Sequence, residues 1–283
     1  MAFEKVTIVG VGLIGGSFAL ALKDRQLARK IIGVSRSAAS AEKALSLQLV
    51  DQILPLEEAI LQSDLIFISI PVDATIPIVK QLLDQISDKQ IVLDAGSTKQ
   101  ALCQSIAAHP HRSRFVATHP MWGTEHSGPE AAVHGAFASR SCVICEKEKS
   151  APDALQAVEQ LYKDLGMHLI YMDAQDHDVH TAYISHISHI TSFALANTVL
   201  EKEKAEDAIF ELAAAGFEST VRLAKSSPAM WAPIFMQNRE NVLDVLNEHI
   251  TQLKKFKACL EKENYDYLLE LMKQANTIKK ILK

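Results

Sequence analysis

Residues 5–17 read KVTIVGVGLIGGS, an apolar run followed at once by a Gly-x-Gly-x-x-Gly pattern at Gly10, Gly12 and Gly15. The apolar run predicts a buried β-strand, and residues 18–23 predict a helix. In this setting the first glycine permits a tight turn, the second lets the backbone approach a pyrophosphate, and the third lets helix and strand pack closely. The phosphate charge would lie at the positive end of the helix. This segment therefore predicts a Rossmann-type dinucleotide site. Its predicted cofactor contacts are Gly10, Gly12, Leu13, Ile14 and Gly15.

Apolar runs and helical stretches continue to alternate as far as Tyr171. The strand-like runs are KVTIVG, IIGV, DLIFISI, QIVLDAG, RFVATHP, SCVIC and MHLIYM. Continuous rather than alternating apolarity, as in LIFISI, is typical of strands that helices cover on both faces. Beyond Tyr171, stretches rich in Ala, Leu, Glu and Lys predict helices only. We therefore expect an α/β Rossmann-type doubly wound sheet over residues 1–172, followed by an all-α domain over residues 173–283.

Composition and charge narrow the class of partner. The 283 residues are 48% hydrophobic and 22% charged, with a formal net charge of −5 at pH 7. Lys and Arg are dispersed along the chain, so we expect no nucleic-acid or anionic-lipid surface. No apolar run approaches the ~20 residues that a membrane span requires, and the first strand begins too early for a leader. The expected location is the cytoplasm, and the expected partner is a small molecule.

The cysteines predict no special chemistry. Cys103, Cys142, Cys145 and Cys259 do not form a disulfide framework in a chain of this length. Cys142 and Cys145 have a metal-like spacing, but side chains three apart on a strand point to opposite faces. We therefore interpret the cysteines as buried structural residues.

The residues after the second predicted strand bear on the choice of cofactor. An acidic residue about 20 positions beyond the glycines usually accepts the ribose 2′-hydroxyl of NAD. Here the chain has Ser35, Arg36 and Ser37, without a carboxylate. A guanidinium flanked by hydroxyl groups suits a 2′-phosphate, so the sequence favours NADP. NAD is the alternative if Arg36 only stacks on adenine or is a solvated loop residue.

Two further polar runs follow predicted strands: DAGSTK (Asp94–Lys99) and THPMWGTEHSG (Thr118–Gly128). Doubly wound sheets bind their ligands at the carboxyl ends of the strands, so both runs are expected at the site. The predicted cofactor contacts are completed by Ile70, Pro71 and Gly96.

These motifs, with SHISH (Ser185–His189) and AAGFESTVRLAKSSPAMW (Ala214–Trp231), resemble the prephenate/arogenate dehydrogenase family of tyrosine biosynthesis. The resemblance runs from Val6 to about Asn241, with the motifs in the expected order. It implies oxidative decarboxylation of prephenate to 4-hydroxyphenylpyruvate with hydride transfer to NAD(P)+. The alternative is the conversion of arogenate to tyrosine. We expect prephenate, because Glu125 and the histidine pair of SHISH match that branch.

The resemblance also implies roles for individual residues. His119 is the implied general base, since a neutral imidazole accepts protons near working pH. Ser97 is the implied hydroxyl that holds the base and the nicotinamide in register. Arg222 is implied for the ring carboxylate, which a planar guanidinium can bind through two hydrogen bonds. The other implied substrate contacts are Thr124, Glu125, His186 and His189. On the same resemblance, Glu125 is expected to pair with Arg222.

Two positions depart from the family pattern. Ala215 replaces a glycine that often precedes Gly216, which is expected to be harmless. Ser219 stands where some members have an acidic residue, which puts an ionic gate around Arg222 in doubt.

Competing interpretations are less well supported. Four histidines, at positions 177, 180, 186 and 189, do not converge on one face of a continuous helix, so no metal site is expected. A β-hydroxyacid dehydrogenase would carry a catalytic lysine in the first helix after the boundary, and HTAYISHISHITSFALANTVL has none before Lys202. A nucleotide-binding redox sensor without chemistry would not need Ser97, His119 and Arg222 together. The C-terminal half is too apolar to stand alone, so we expect a homodimer through the helical domain, which also binds substrate.

Overall fold

A computed structural model of the chain describes residues 3–203 and 215–281. Its strands are β1 (Phe3–Val9), β2 (Ala28–Val34), β3 (Gln52–Ile53), β4 (Leu65–Ile68), β5 (Ile91–Asp94), β6 (Phe115–Pro120), β7 (Ser141–Cys145) and β8 (His168–Met172). Its helices are α1 (Leu13–Asp24), α2 (Ala38–Ser46), α3 (Leu56–Ile60), α4 (Val72–Gln85), α5 (Gln100–Ser105), α6 (Pro152–Asp164), α7 (Ala174–Thr181), α8 (Ile187–Glu203), α9 (Ala215–Val221), α10 (Pro228–Gln237), α11 (Arg239–Glu261) and α12 (Tyr265–Ala275). Ala214, the first residue of the motif that ends at Trp231, lies outside the described residues.

The eight strands form one sheet in the order β3-β2-β1-β4-β5-β6-β7-β8. Neighbours from β3 to β6 are parallel, so the carboxyl ends of these strands meet at one edge. β7 is antiparallel to β6, and β8 is parallel to β7. A parallel neighbour needs a crossover, usually a helix, whereas residues 121–140 contain only a short 3₁₀ turn between β6 and β7. The predicted doubly wound sheet is confirmed, with its last two strands reversed.

Apolar side chains pack on both faces of this sheet, as the continuous apolar runs predicted. On one face α1 and α6 cover the sheet, with Phe18 stacked on Phe67 at 3.9 Å between ring centroids. On the other face α4 and α5 pack against strand residues such as Ile66. Cys142 belongs to the first core and Cys145 to the second, so the cysteine pair points to opposite faces. The structural interpretation of these two cysteines is confirmed.

The helices after β8 begin where local chemistry favours them. The side chain of Asp173 caps α7 by accepting a hydrogen bond from the backbone N–H of Asp176 at 2.7 Å. A π-helical turn, Ala182–His186, joins α7 to α8. Pro228 occupies the first turn of α10, where its missing N–H has no intrahelical partner to lose. These helices confirm the predicted change from α/β to all-α sequence.

Packing divides the chain into two compact units, Met1–Asn238 and Arg239–Lys283. In the first, α10 packs on α4 through a cluster of Val72, Trp231 and Ile234. In the second, α11, α12 and the residues after α12 expose several large apolar side chains. Those at least half exposed are Leu253, Leu260, Tyr265, Met272, Ile278 and Ile281.

None of the helices in the described ranges has the length and apolar character needed to cross a membrane. The division of function at residue 172 stays a prediction.

Candidate active site

The glycine turn lies between β1 and α1, beside the end of β4. Gly10 has φ +94°, and a Cβ there would lie 2.6 Å from the carbonyl oxygen of Ser69. A Cβ on Gly15 would collide with the carbonyl oxygen of Gly10. Gly12 differs, because no described atom lies within 4 Å of its Cβ position. Chain geometry therefore requires the first and third glycines, whereas the second borders open space that a ligand can approach.

The start of α1 suits an anionic group. Gly12 provides no side-chain cap, and the first turn contains no acidic residue. Its first N–H groups lack intrahelical acceptors, as at any helix N-terminus, and carry partial positive charge. Ser69 Oγ donates a hydrogen bond to the Gly10 carbonyl at 2.7 Å, which fixes the glycine turn on β4. Ile70 lies against the same glycine, and Pro71 directly precedes α4. These residues fit the pyrophosphate of a dinucleotide.

Residues 35–37 connect β2 to α2 next to this turn. The backbone N–H of Gly10 donates to the carbonyl of Val34 at 2.9 Å, so the two loops are adjacent. Ser37 caps α2 by accepting from the N–H of Ser40 at 3.2 Å, and Ser35 Oγ donates to the carbonyl of Ser37 at 3.2 Å. Arg36 is exposed. The loop is thus locally ordered around a solvent-facing guanidinium.

A fully buried ion pair anchors the loop after β5. Lys99 Nζ contacts Asp94 Oδ2, and neither side chain is exposed. Asp94 also accepts from the backbone N–H of Gly96 at 2.9 Å and of Thr118 at 3.2 Å. Asp94 therefore holds together the loop that carries Ser97 and the strand end that precedes His119. Ser97 itself is half-buried in this loop.

His119 lies near the end of β6 and is held by residues of α7. Its Nδ1 is 2.8 Å from Nε2 of His177, whose Nδ1 is 2.7 Å from Asp178 Oδ1. Burial lowers the pKa of His119 well below its usual value, and the nearby ammonium of Lys99 acts in the same direction. His119 is therefore neutral at neutral pH and able to accept a proton.

His186 and His189 flank the indole of Trp231. The rings of His189 and Trp231 stack at 3.5 Å between centroids, and His186 approaches Trp231 edge-on at 5.9 Å. Asn238 Nδ2 lies 3.1 Å from His186 Nδ1, and His189 Nδ1 lies 3.0 Å from the carbonyl of Ser185. Burial lowers the pKa of His186 to about 4 and also lowers the pKa of His189. Trp231 Nε1 is buried with no partner among the described residues. The cluster is thus neutral and rich in hydrogen-bonding groups.

The expected pair of Arg222 and Glu125 is present. Arg222 Nη1 lies 2.9 Å from Glu125 Oε2, and the arginine side chain is 52% exposed. A hydrogen bond from its own backbone N–H, together with Arg222, lowers the pKa of Glu125. Thr124 is exposed and accepts from the backbone N–H of His126 at 3.2 Å. The loop after β6 is thereby joined to the segment after α9.

The sequence prediction did not include several residues that organise this site. Asp94 and Lys99 lie at the two ends of the DAGSTK motif, but nothing in the motif showed that they pair. His177 was considered only as a metal ligand on a continuous helix, which the π-helical turn interrupts. Asp178 and Asn238 carried no signal, because each lies among other polar residues in the sequence.

Comparison with known protein families matches two consecutive segments of the chain. Residues 18–171 match the model described as prephenate dehydrogenase, nucleotide-binding domain. Residues 173–274 match the model described as prephenate dehydrogenase, dimerization domain. The chain is also 31% identical over 275 residues to the prephenate dehydrogenase of Bacillus subtilis (strain 168), which is 96% of this chain and 74% of that protein.

Two solved structures extend the comparison. The complex of prephenate dehydrogenase from A. aeolicus with hydroxyphenyl propionate and NAD+ superposes with a TM-score of 0.91 at 29% identity, covering 100% of this chain and 99% of that chain. Arogenate dehydrogenase from Synechocystis superposes with a TM-score of 0.79 at 26% identity, covering 99% of this chain and 100% of that chain. Both similarities extend through the sheet and the helices that follow it.

Proposed function

Because the chain belongs to the prephenate dehydrogenase family, we propose that it converts prephenate to 4-hydroxyphenylpyruvate and carbon dioxide in tyrosine biosynthesis. It is an NAD(P)-dependent dehydrogenase. The observation that carries the substrate proposal is the position of the His119 imidazole near the end of β6, at the same sheet edge as the glycine turn. The guanidinium of Arg222 pairs with the loop that follows His119.

The glycine turn and α1 would hold the dinucleotide, with Gly12 giving the pyrophosphate access to the backbone. When bound, the nicotinamide ring supplies the hydride acceptor. Ser97 and Gly96 follow β5 and would border the ring, while Ile70 and Pro71 would border the nucleotide from β4. Arg36 offers a cation for a ribose 2′-phosphate, which supports NADP as the preferred cofactor, with NAD as the alternative.

His119 has the chemical role of general base. It accepts the proton of the substrate hydroxyl while the carbon that bears this hydroxyl loses hydride. Loss of the ring carboxylate as carbon dioxide then leaves a phenolate, and His119 returns the proton to its oxygen. The reaction balances: the proton taken from the hydroxyl returns to the product oxygen, and the hydride that leaves the substrate is the only net transfer to the cofactor.

Arg222 is proposed to bind the ring carboxylate, in exchange for its contact with Glu125. An arginine half exposed to solvent can reorient at low cost, and a carboxylate ligand can replace the carboxylate of Glu125 with similar geometry. Thr124, His186 and His189 are the further proposed substrate contacts, on the loop after β6 and on the helices after β8.

We also propose a homodimer through the helical domain, residues 173–283. Support comes from the dimerization-domain match and from the apolar side chains that α11 and α12 expose. Sedimentation of the purified chain at several concentrations tests this, since a monomer at all of them contradicts the proposal.

The deciding experiment is cofactor reduction by the purified chain with prephenate and with arogenate, each with NAD and NADP. We expect prephenate to support the higher kcat/KM. Arogenate is the second candidate, because the chain also superposes on an arogenate dehydrogenase. Higher activity with arogenate would reassign the substrate, and activity with neither compound would refute the proposed function.

A further inference from the structure

We propose that His177 and Asp178 are positioning residues that fix the tautomer of His119, with its proton on Nδ1 and its lone pair on Nε2. The tautomer follows from the hydrogen bonds around a neutral His177. Its catalytic meaning rests on the proposed function, in which His119 is the general base.

Asp178 is buried, with 2% of its surface exposed. Its Oδ1 accepts from the backbone N–H of Lys99 at 2.7 Å, and its Oδ2 accepts from the backbone N–H of Gln100 at 3.0 Å. Backbone N–H groups can only donate, so both oxygens act as acceptors, as in an ionised carboxylate. His177 Nδ1 lies 2.7 Å from Oδ1 and must therefore be the donor in that contact.

His177 transfers this constraint to His119. The ring of His177 is fully buried, and desolvation lowers its pKa, so it carries a single proton at neutral pH. That proton lies on Nδ1, which leaves the lone pair on Nε2. His119 Nδ1 is 2.8 Å from this nitrogen and must donate to its lone pair. The remaining nitrogen of His119, Nε2, is then the proton acceptor.

This arrangement serves the reaction in two ways. An unconstrained imidazole distributes its proton over both nitrogens, whereas this contact removes the form in which Nε2 is already protonated. When Nε2 takes up a proton, the Nδ1–H bond to His177 becomes charge-assisted and stronger. Loss of the carboxylate that fixes a catalytic histidine's tautomer in serine proteases lowers kcat by about 10⁴-fold, which shows how large such an effect can be.

Asn238 connects the same pair to the substrate side of the site. Its Nδ2 donates to the backbone carbonyl of Asp178 at 2.7 Å and lies 3.1 Å from His186 Nδ1. The position of α7 behind His119 is therefore fixed from α10 as well as from the start of α5.

The first test reads the tautomer directly. Full-length protein with ¹⁵N-labelled histidine, saturated with NADP+, is examined by long-range ¹H–¹⁵N correlation, and His119→Asn identifies the signals of His119. We expect Nδ1 protonated and Nε2 unprotonated at neutral pH. A proton on Nε2 of His119 would overturn the inference, whatever substrate the enzyme uses.

The second test uses variants of His177. His177→Phe removes the acceptor and should lower kcat at least about tenfold, with little change in NADP binding. His177→Gln can place an amide oxygen near the position of Nε2 and should recover most of the turnover. His180→Phe, an exposed position on the same helix, is the matched control and should behave like wild type.

The outcomes separate this inference from the proposed function. Wild-type kcat in a folded His177→Phe protein refutes the positioning role. If His177→Phe does not fold, His177→Gln and the wild-type tautomer decide, and an unfavourable result in either counts against the inference. Wild-type protein without activity on prephenate or arogenate refutes the proposed function but leaves the tautomer measurement as a test of the hydrogen-bond chain.

Discussion

Replacing Lys99 by Met should strongly destabilise the protein. Lys99 and Asp94 form an ion pair in which both side chains are fully buried. Met preserves most of the lysine side-chain volume but removes the ammonium, so the carboxylate of Asp94 stays buried without its cation. The backbone N–H groups of Gly96 and Thr118 still donate to it at 2.9 and 3.2 Å.

The size of the effect follows from this geometry. Removing one partner of a buried ion pair costs about 3–5 kcal/mol, and the two remaining donors place this variant near the lower limit, at about 3 kcal/mol. For a protein of this size, about 2–4 °C of Tm per kcal/mol gives a decrease of about 6–12 °C.

Thermal unfolding followed by circular dichroism measures the effect. Lys163→Met is the control, because Lys163 is 55% exposed and its contact with Glu159 spans 3.7 Å, so little change in Tm is expected. The double variant Asp94→Asn/Lys99→Met should recover part of the loss, since no unpaired charge remains. A Lys99→Met protein as stable as Lys163→Met would refute the reasoning.

The other predictions concern activity. His119→Asn should lower turnover by roughly 10²-fold or more and leave NADP binding nearly intact. The control variant His134→Asn, at an exposed site, should keep wild-type turnover. Near-normal turnover of His119→Asn would eliminate His119 as the base. Because burial lowers the pKa of His119, and an imidazolium cannot accept the hydroxyl proton, turnover should stay level through about pH 6.5 and fall only at more acidic pH. An acid limb at or above that pH would contradict this assignment. Arg222→Ala should raise KM for the substrate by roughly ten- to a hundredfold with little effect on cofactor binding, and unchanged KM and kcat/KM would place the carboxylate site elsewhere. NADP should be preferred over NAD by roughly ten- to a hundredfold, and Arg36→Ala should remove most of this preference; equal or better use of NAD by the wild type would show that Arg36 does not bind a phosphate.

Most of the sheet could be predicted because nearly every strand contains a short continuous apolar run. The seven quoted runs correspond to seven of the eight strands. The exception is β3, whose two residues, Gln52 and Ile53, are too few to form a pattern. The reversal of β7 was not predictable from apolarity, because a strand buried on both faces has the same pattern in either direction. The absence of a helical stretch between β6 and β7 was the available signal.

The site was predictable where chemistry is local and not where it depends on tertiary contact. The glycine turn is set by backbone geometry within a few residues, so Gly10 and Gly15 have the packing that their spacing predicted. The contact of His119 with His177 joins β6 to α7, and its distance depends on how those elements pack. Likewise, the helical wheel for the later histidines assumed a regular α-helix, and the π-helical turn changes the angle between His177 and His186.

The reversal of β7 has a consequence for how this enzyme can diversify. β6 ends and β7 begins at the same edge of the sheet, so residues 121–140 begin and end at that edge. Between those ends the segment packs along α1, where the backbone N–H of Val133 donates to Ser17 Oγ at 3.0 Å and His134 lies 2.9 Å from Asp24. This segment carries Thr124 and Glu125, while the glycine turn belongs to strands on the other side of β5. Insertions and deletions are tolerated best in surface connections. Selection can therefore reshape the segment proposed to meet the substrate by lengthening or shortening one loop, without shifting the register of the strands next to the glycine turn.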